Sequence, residues 1–155
     1  MFCSDDPTDF VVEYNSVFLS ETKKTQVEKI IIHPQFNIST FENDIAILHV
    51  KPINISLNGT KTICLPQNDD DPLENTTMTV TGWGRLNYSY SYEPSQLMAV
   101  DVPAISRDYC DKMMKEYQNN TDIPYYYPIT KTMICAGYEE GKKDACIVRG
   151  FYHFN

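Results

Sequence analysis

The sequence predicts an all-β fold, either a barrel or a sandwich, with one short helix. Five short runs rich in β-branched, aromatic or other apolar residues occur along the 155 residues, with polar turns between them. Short strands at such spacing are typical of antiparallel barrels and sandwiches. There is no internal repeat, and no apolar run approaches the roughly 18 residues of a membrane span. The five runs cover residues 10–19, 27–32, 45–50, 78–81 and 97–105.

Turn-forming residues bound three of these runs. A His-Pro pair at 33–34 follows the second run, Pro52 follows the third, and the fourth leads into Gly-Trp-Gly at 82–84. The fifth run contains Pro103, which has no N–H to donate to a ladder, so an edge strand or a bulge is expected there.

One helix is predicted after the fifth run. Ser106 is a favourable N-cap residue, Asp108 complements the positive end of the helix in its first turn, and residues 109–118 are good helix formers. The polar residues 119–121 end the helix. An extended loop with three consecutive tyrosines is expected at residues 123–128.

Charge and cysteine content restrict the partners and the compartment. The formal net charge of −8 disfavours nucleic acid and anionic membranes as partners. Five cysteines are an odd number, so at least one has no partner within the chain. Together with the cysteines, six Asn-x-Ser/Thr sequons indicate a secreted glycoprotein. The sequons begin at Asn37, Asn54, Asn58, Asn75, Asn87 and Asn119.

The first residues do not have the pattern of an export signal. Met1 is followed by no basic segment and no apolar stretch. Since the rest of the chain has the pattern of a secreted protein, we expect that the chain is incomplete at its start.

Asp44 stands directly before the apolar run 45–50, in the stretch "FENDIAILHV". A buried carboxylate is unfavourable unless another group pairs with it. From the residues alone, two roles are open for Asp44. It is either a cap at the start of a strand or the charged member of a functional site.

Six stretches, taken together and in order, make the chain resemble the chymotrypsin/trypsin family of serine proteases. Each stretch alone is a weak match, but the ordered set extends over nearly the whole chain up to Cys146. The stretches are "VEKIIIHPQFN" (27–37), "NDIAILHV" (43–50), "ICLP" (63–66), "TVTGWG" (79–84), "VPAISRDYC" (102–110) and "MICAGYEEGKKDAC" (133–146).

The resemblance implies that Asp44 is the aspartate of the catalytic triad, which orients the catalytic histidine and stabilises its imidazolium form. The family has that histidine upstream, in an Ala-Ala-His-Cys motif, and Cys3 matches the cysteine of this motif. His33, His49 and His153 stand elsewhere, so none of them matches the general base.

The resemblance also implies that the catalytic serine would follow Cys146, where this chain no longer matches the family. The family continues after Cys146 into a Gly-Asp-Ser-Gly-Gly turn, whereas this chain continues "IVRGFYHFN". No serine of the chain has glycine on both sides, so the nucleophile and the backbone donors of the oxyanion hole are missing. A serine protease needs nucleophile, base and oxyanion donors in one place, and this chain is therefore predicted to be inactive alone.

Asp144 matches the aspartate at the base of the family's primary specificity pocket. A carboxylate there implies cleavage after Arg or Lys in the parent enzyme, because the carboxylate pairs with a long cation. The alternative is a solvated acid among other charged residues, which are Glu139, Glu140, Lys142 and Lys143.

Three further expectations concern the cysteines and follow from the resemblance. Cys110 and Cys135 match a family disulfide that lies wholly within the chain. Cys64 matches the cysteine that often joins the protease domain to an upstream pro-region. The partners of Cys3 and Cys146 would lie outside this sequence.

The implied fold is a chymotrypsin-like pair of antiparallel β-barrels, truncated at both ends, with one short helix. The acidic loop at 69–72 is expected to separate the two halves. Residues 1–70 would be the C-terminal part of the first barrel, residues 71–146 the first part of the second, and residues 147–155 a divergent tail.

The predicted function is that of a secreted trypsin-like serine endopeptidase domain that acts on protein or peptide substrates at Arg or Lys. The alternative is a non-catalytic protease homologue that acts as a binding or decoy module; an unrelated secreted β-domain is a third, weaker alternative. We expect no cofactor, no metal site, no nucleic-acid partner and no membrane span.

Overall fold

The computed structural model describes residues 6–54, 60–67, 70–85, 93–120, 128–141 and 143, together with the backbone of residues 153–154. It is mostly β, with one α-helix and two antiparallel sheets, as the sequence predicts. Asp144, Cys3 and Cys146 lie outside the described residues, as do the sequon asparagines Asn58 and Asn87.

The first sheet has three strands, β1 (Val11–Tyr14), β2 (Lys23–Ile32) and β3 (Ala46–Val50), in the order β1-β2-β3. The predicted run 10–19 gives a strand of only four residues. Asn15 adopts a left-handed backbone conformation, with φ of 75°, and ends β1 there. A short 3-10 helix, Leu19–Glu21, then leads into β2.

The second sheet has four strands, β4 (Thr77–Gly82), β5 (Met98–Ile105), β6 (Cys135–Ala136) and β7 (His153–Phe154), in the order β6-β5-β4-β7. Pro103 lies in β5 opposite Thr77, and the register with β4 has no shift there, so Pro103 does not mark a bulge. On its other side the ladder with β6 covers only Ala104 and Ile105, so Pro103 is paired to a strand on one side only, as at a sheet edge.

The single α-helix of the described residues, α1 (Arg107–Asn119), follows β5 directly. Ser106 occupies the predicted N-cap position, although its side chain makes no capping hydrogen bond. Two residues of the first turn of the helix have contacts outside it. The Cys110–Cys135 disulfide joins it to β6, and Arg107 forms an ion pair with Asp71 in the acidic segment.

Few side chains in the described part of the chain are fully covered. Val27, Val102 and Ala104 are buried there, whereas large apolar residues such as Ile45 and Ile47 are exposed. Within the described residues neither sheet closes into a barrel. The two sheets therefore present apolar side chains that these residues alone do not cover.

Among the described residues, hydrogen bonds connect residues 6–54 to residues 93–141 at two places. Phe18 forms a β-bridge with Gln96, and the amide of Leu97 donates to the carbonyl of Val17 at 2.7 Å. The second connection, between Asn43 and Thr132, joins the turn before β3 to the loop before β6. This second contact lies next to the candidate site.

Candidate active site

Asp44 lies in the turn that connects residues 37–42 to strand β3. Asn43 has φ of 55° and therefore a left-handed backbone conformation, which asparagine tolerates better than most residues. The amide of Ile45 donates to the carbonyl of Asn43 at 2.8 Å, and the amide of His33 donates to the carbonyl of Ile45 at 3.1 Å. Asp44 is thus held between a tight turn and the first bonds of the β2–β3 ladder, and it is exposed.

Asn43 anchors this turn through its side chain as well. Its Nδ2 donates to the carbonyl of Gln35 at 3.0 Å. Its backbone amide donates to Oγ1 of Thr132 at 3.1 Å, across a sequence separation of 89 residues. The residue before the candidate aspartate is therefore bound by both halves of the chain.

The structure gives His33 and His49 roles in local structure. Nδ1 of His33 accepts the amide of Gln35 at 3.1 Å. Nδ1 of His49 lies 3.1 Å from a carboxylate oxygen of Glu28. In a catalytic triad, Nδ1 of the histidine donates to the aspartate. Both Nδ1 atoms have another partner here, Gln35 for His33 and Glu28 for His49.

The turn that precedes Asp144 is described up to Gly141, together with Lys143. The amide of Gly141 donates to the carbonyl of Tyr138 at 2.9 Å, and Gly141 has φ of 70°, a conformation that favours glycine. Nζ of Lys143 lies 4.9 Å from the centre of the Tyr138 ring, within cation–π range. This turn is thus fixed by contacts of its own.

Two of the charged residues near Asp144 have identified partners. The hydroxyl of Tyr109 donates to a carboxylate oxygen of Glu139, and this hydrogen bond raises the pKa of Tyr109 above its usual value. Lys143 contacts Tyr138. The Tyr109–Glu139 hydrogen bond connects helix α1 to this turn. Asp144 itself lies outside the described residues.

Among the described residues, two cysteines form a disulfide, one cysteine is free, and four sequon asparagines are exposed. Cys110 and Cys135 are joined in a disulfide, the pair that the family resemblance implies. Cys64 is a free, exposed thiol. The four sequon asparagines that the structure describes are all exposed; they are Asn37, Asn54, Asn75 and Asn119.

Sequence reasoning missed Asn43 and Thr132 as structural partners. Asparagine before Asp44 was a signal for a left-handed turn, because asparagine is enriched at positive φ. Nothing in the sequence indicated that Thr132, which is 89 residues away, would accept its amide.

Comparison with protein-family models decides the classification, since the model described as Trypsin matches residues 3–147. The chain belongs to the trypsin family. Among curated proteins, this chain is 37% identical to Serine protease filzig of Drosophila melanogaster over 121 residues. The aligned region covers 77% of this chain and 7% of filzig. This chain is also 36% identical to Trypsin zeta of Drosophila erecta over 124 residues, and that aligned region covers 79% of this chain and 42% of Trypsin zeta.

A solved structure supports the same assignment. The crystal structure of a scabies mite inactivated protease paralogue superposes with a TM-score of 0.78 at 26% identity, covering 91% of this trypsin-family chain and 59% of the paralogue. This trypsin-family chain thus spans less than half the length of the two curated relatives named above and somewhat more than half of the solved paralogue.

Neither a membrane-spanning helix nor a cluster of metal-ligating side chains occurs among the described residues. No helix among them has the length and apolar character needed to cross a membrane. In the same part of the chain, no group of three or more His, Cys, Asp or Glu side chains is arranged to hold a metal ion.

Proposed function

We propose that this trypsin-family chain supplies the triad acid, Asp44, and the specificity-pocket acid, Asp144, to a serine endopeptidase that cleaves proteins after Arg or Lys. The observation that carries the proposal is the turn around Asp44. Within a family match over residues 3–147, this turn holds Asp44 at the start of β3 by bonds on both sides. A backbone held in this way at the residue that carries the carboxylate suits an acid that orients a histidine.

The proposed catalytic roles depend on which groups of a serine protease site this sequence contains. Asp44 would accept the Nδ1–H of the catalytic histidine, fix its tautomer and stabilise the imidazolium formed when the histidine removes the serine proton. The histidine and the serine would come from segments that carry the family's Ala-Ala-His-Cys and Gly-Asp-Ser-Gly-Gly motifs. The 155 residues alone lack both motifs and would not hydrolyse peptides.

In this proposal residues 1–70 belong to the first barrel, residues 71–146 to the second, and residues 147–155 to a divergent tail. The protein is secreted and glycosylated at exposed sequons, and the exposed thiol of Cys64 forms a bridge to an upstream pro-region. Exposure of the four described sequon asparagines is compatible with such glycans.

A second candidate is a non-catalytic homologue that binds other proteins without cleaving them. One specific observation favours it. The solved structure that superposes on this chain is that of a protease paralogue described as inactivated. A homologue of this kind keeps the family's fold while its site lacks the nucleophile or the base.

One experiment separates the two candidates. Transcripts that contain this reading frame are sequenced on both sides, and the polypeptide they encode is expressed next to residues 1–155 alone. Both are assayed with matched peptide amides that carry Arg, Lys or Glu at the cleaved position. The endopeptidase proposal predicts cleavage after Arg and Lys by the encoded polypeptide only, with inhibition by a serine-directed reagent.

Two variants assign the roles of the acids in that assay. Asp44→Asn should lower kcat by roughly 10⁴-fold, the size of effect expected when the histidine loses its orienting acid. Asp144→Ser should remove the preference for Arg and Lys over Glu. A complete transcript without the histidine and serine motifs, encoding a polypeptide that cleaves none of the peptides, would instead support the non-catalytic homologue.

A further inference from the structure

We propose that Thr132 is a positioning residue for Asp44, acting through the backbone of Asn43. The proposal rests on the role of Asp44 proposed above. Its basis is the hydrogen bond from the amide of Asn43 to Oγ1 of Thr132, at 3.1 Å, which connects residues 89 positions apart. Asn43 is the residue directly before Asp44, so the contact acts on the backbone that carries the acid.

The bonds of Asn43 fix the backbone on both sides of its α-carbon. Thr132 holds the amide nitrogen, and the amide of Ile45 holds the carbonyl oxygen at 2.8 Å. The side-chain Nδ2 is bound to the carbonyl of Gln35 at 3.0 Å. The carbonyl of Asn43 belongs to the peptide bond that leads to Asp44, so these bonds together set the direction in which Asp44 leaves the turn.

Thr132 can serve as a fixed acceptor because its own loop is held in place. Its Oγ1 lies 3.1 Å from Oγ1 of Thr130, and the amide of Met133 donates to the carbonyl of Thr130 at 3.0 Å. Nη2 of Arg107 donates to the carbonyl of Lys131 at 3.4 Å. The loop is therefore attached to helix α1, and the hydroxyl of Thr132 has a partner within the loop.

The contact matters because catalytic groups need close placement. A triad acts when its members lie within about 0.5 Å and 10–20° of the productive geometry. The Asn43–Thr132 bond joins the turn before β3 to the loop before β6, and it does so at the residue directly before the acid.

The experiment compares three matched variants of the full chain. Thr132→Val keeps the shape of the side chain and removes the acceptor, and Thr132→Ser keeps the acceptor. Thr79→Val is the control, because it removes a hydroxyl that donates to Asp101 at 2.7 Å inside the second sheet. Hydrogen exchange of the Asn43 amide and the side-chain carboxyl carbon signal of Asp44 are measured by NMR for each variant.

Thr132→Val should speed exchange of the Asn43 amide by roughly 2- to 10-fold, the range for loss of one hydrogen bond, and should shift the Asp44 signal. Thr132→Ser should restore both values, and Thr79→Val should change neither. Equal exchange in the parent chain and in Thr132→Val would overturn the proposal. So would a Thr132→Ser variant that behaves like Thr132→Val.

A kinetic measurement on the polypeptide encoded by the complete transcript tests the positioning role itself. Thr132→Val should lower kcat by a similar factor and leave KM unchanged, while Thr132→Ser restores kcat. An unchanged kcat would overturn the positioning role. If that polypeptide cleaves no peptide at all, the endopeptidase proposal fails, and with it any catalytic purpose of the contact, while the exchange data still decide whether Thr132 holds Asn43.

Discussion

Ile31 lies directly opposite Ile47 in the β2–β3 ladder, and both side chains are exposed, at 44% and 67%. Directly opposed β-branched residues stabilise a sheet when neighbouring side chains cover them. Here they form one end of an exposed apolar strip that continues to Ile45, which is 64% exposed. Contiguous exposed apolar surface of this kind promotes association.

The first prediction follows from this strip. The purified chain is expected to associate in a concentration-dependent manner, and Ile47→Thr should shift it toward the monomer because threonine keeps the strand while removing apolar surface. Sedimentation velocity over a range of concentrations measures the effect. Lys29→Gln, at an exposed polar position on the same pair of strands, is the control and should leave association unchanged.

The same lack of cover limits stability. Apolar burial contributes roughly 25 cal/mol per Å², and the net stability of a domain is only about 5–15 kcal/mol. A few uncovered core side chains therefore remove much of that margin. A sharp, cooperative thermal transition of a clean monomer would contradict both the association and the marginal stability, and would favour the non-catalytic homologue.

The second prediction concerns catalysis by the chain alone. Purified residues 1–155 should not cleave peptide amides that contain Arg, because the sequence lacks the family's histidine and serine motifs. A fluorogenic assay, run with trypsin as positive control, measures this. Cleavage that a serine-directed reagent abolishes, and that persists after a further chromatographic step, would show that the assignment of the missing groups is wrong.

Sequence reasoning predicted the fold well because strand periodicity and the order of the motifs are local signals. The strands at 27–32, 45–50 and 97–105 and the helix after Ser106 all occur, with small changes at their ends. The strand expected at 10–19 stops early because the left-handed backbone at Asn15 turns the chain. Asparagine is enriched at positive φ, so Asn15 was a local signal for this stop, but the β-type residues on both sides of it favoured a longer strand.

The site was less accessible to prediction than the fold. The place of Asp44 before β3 could be read from the sequence, since a carboxylate followed by an apolar run marks a strand start. The contact between Asn43 and Thr132 could not, because it depends on how the two sheets are arranged relative to each other. Hydrogen bonds between distant segments leave no periodic signal in a single sequence.

The third prediction concerns the disulfide between Cys110 and Cys135. Peptide mapping of oxidised protein should recover this bridge, and Cys64 should react with an alkylating reagent without prior reduction, because its thiol is free and exposed. Replacing both bridged cysteines by alanine should lower the free energy of unfolding by about 3 kcal/mol, as expected for a loop of this size. Cys64→Ser is the control and should leave stability nearly unchanged. A bridge between Cys64 and Cys110 would contradict the family register.

The fourth prediction concerns Tyr109 and alkaline pH. The hydrogen bond to Glu139 raises the pKa of Tyr109 because it is made by the neutral phenol and because the carboxylate disfavours a nearby phenolate. A group whose pKa is raised on folding stabilises the fold below its unfolded pKa, which is near 10 for tyrosine, and loses that contribution as the pH rises through the folded value. The contact between α1 and the 138–141 turn should therefore weaken only above about pH 10.

Ultraviolet difference titration of the parent chain against Tyr109→Phe isolates this residue among the 11 tyrosines. Glu139→Gln should return the pKa of Tyr109 toward its usual value, whereas Glu140→Gln should not. Equal Tyr109 titration in the parent chain, in Glu139→Gln and in Glu140→Gln would refute the contact.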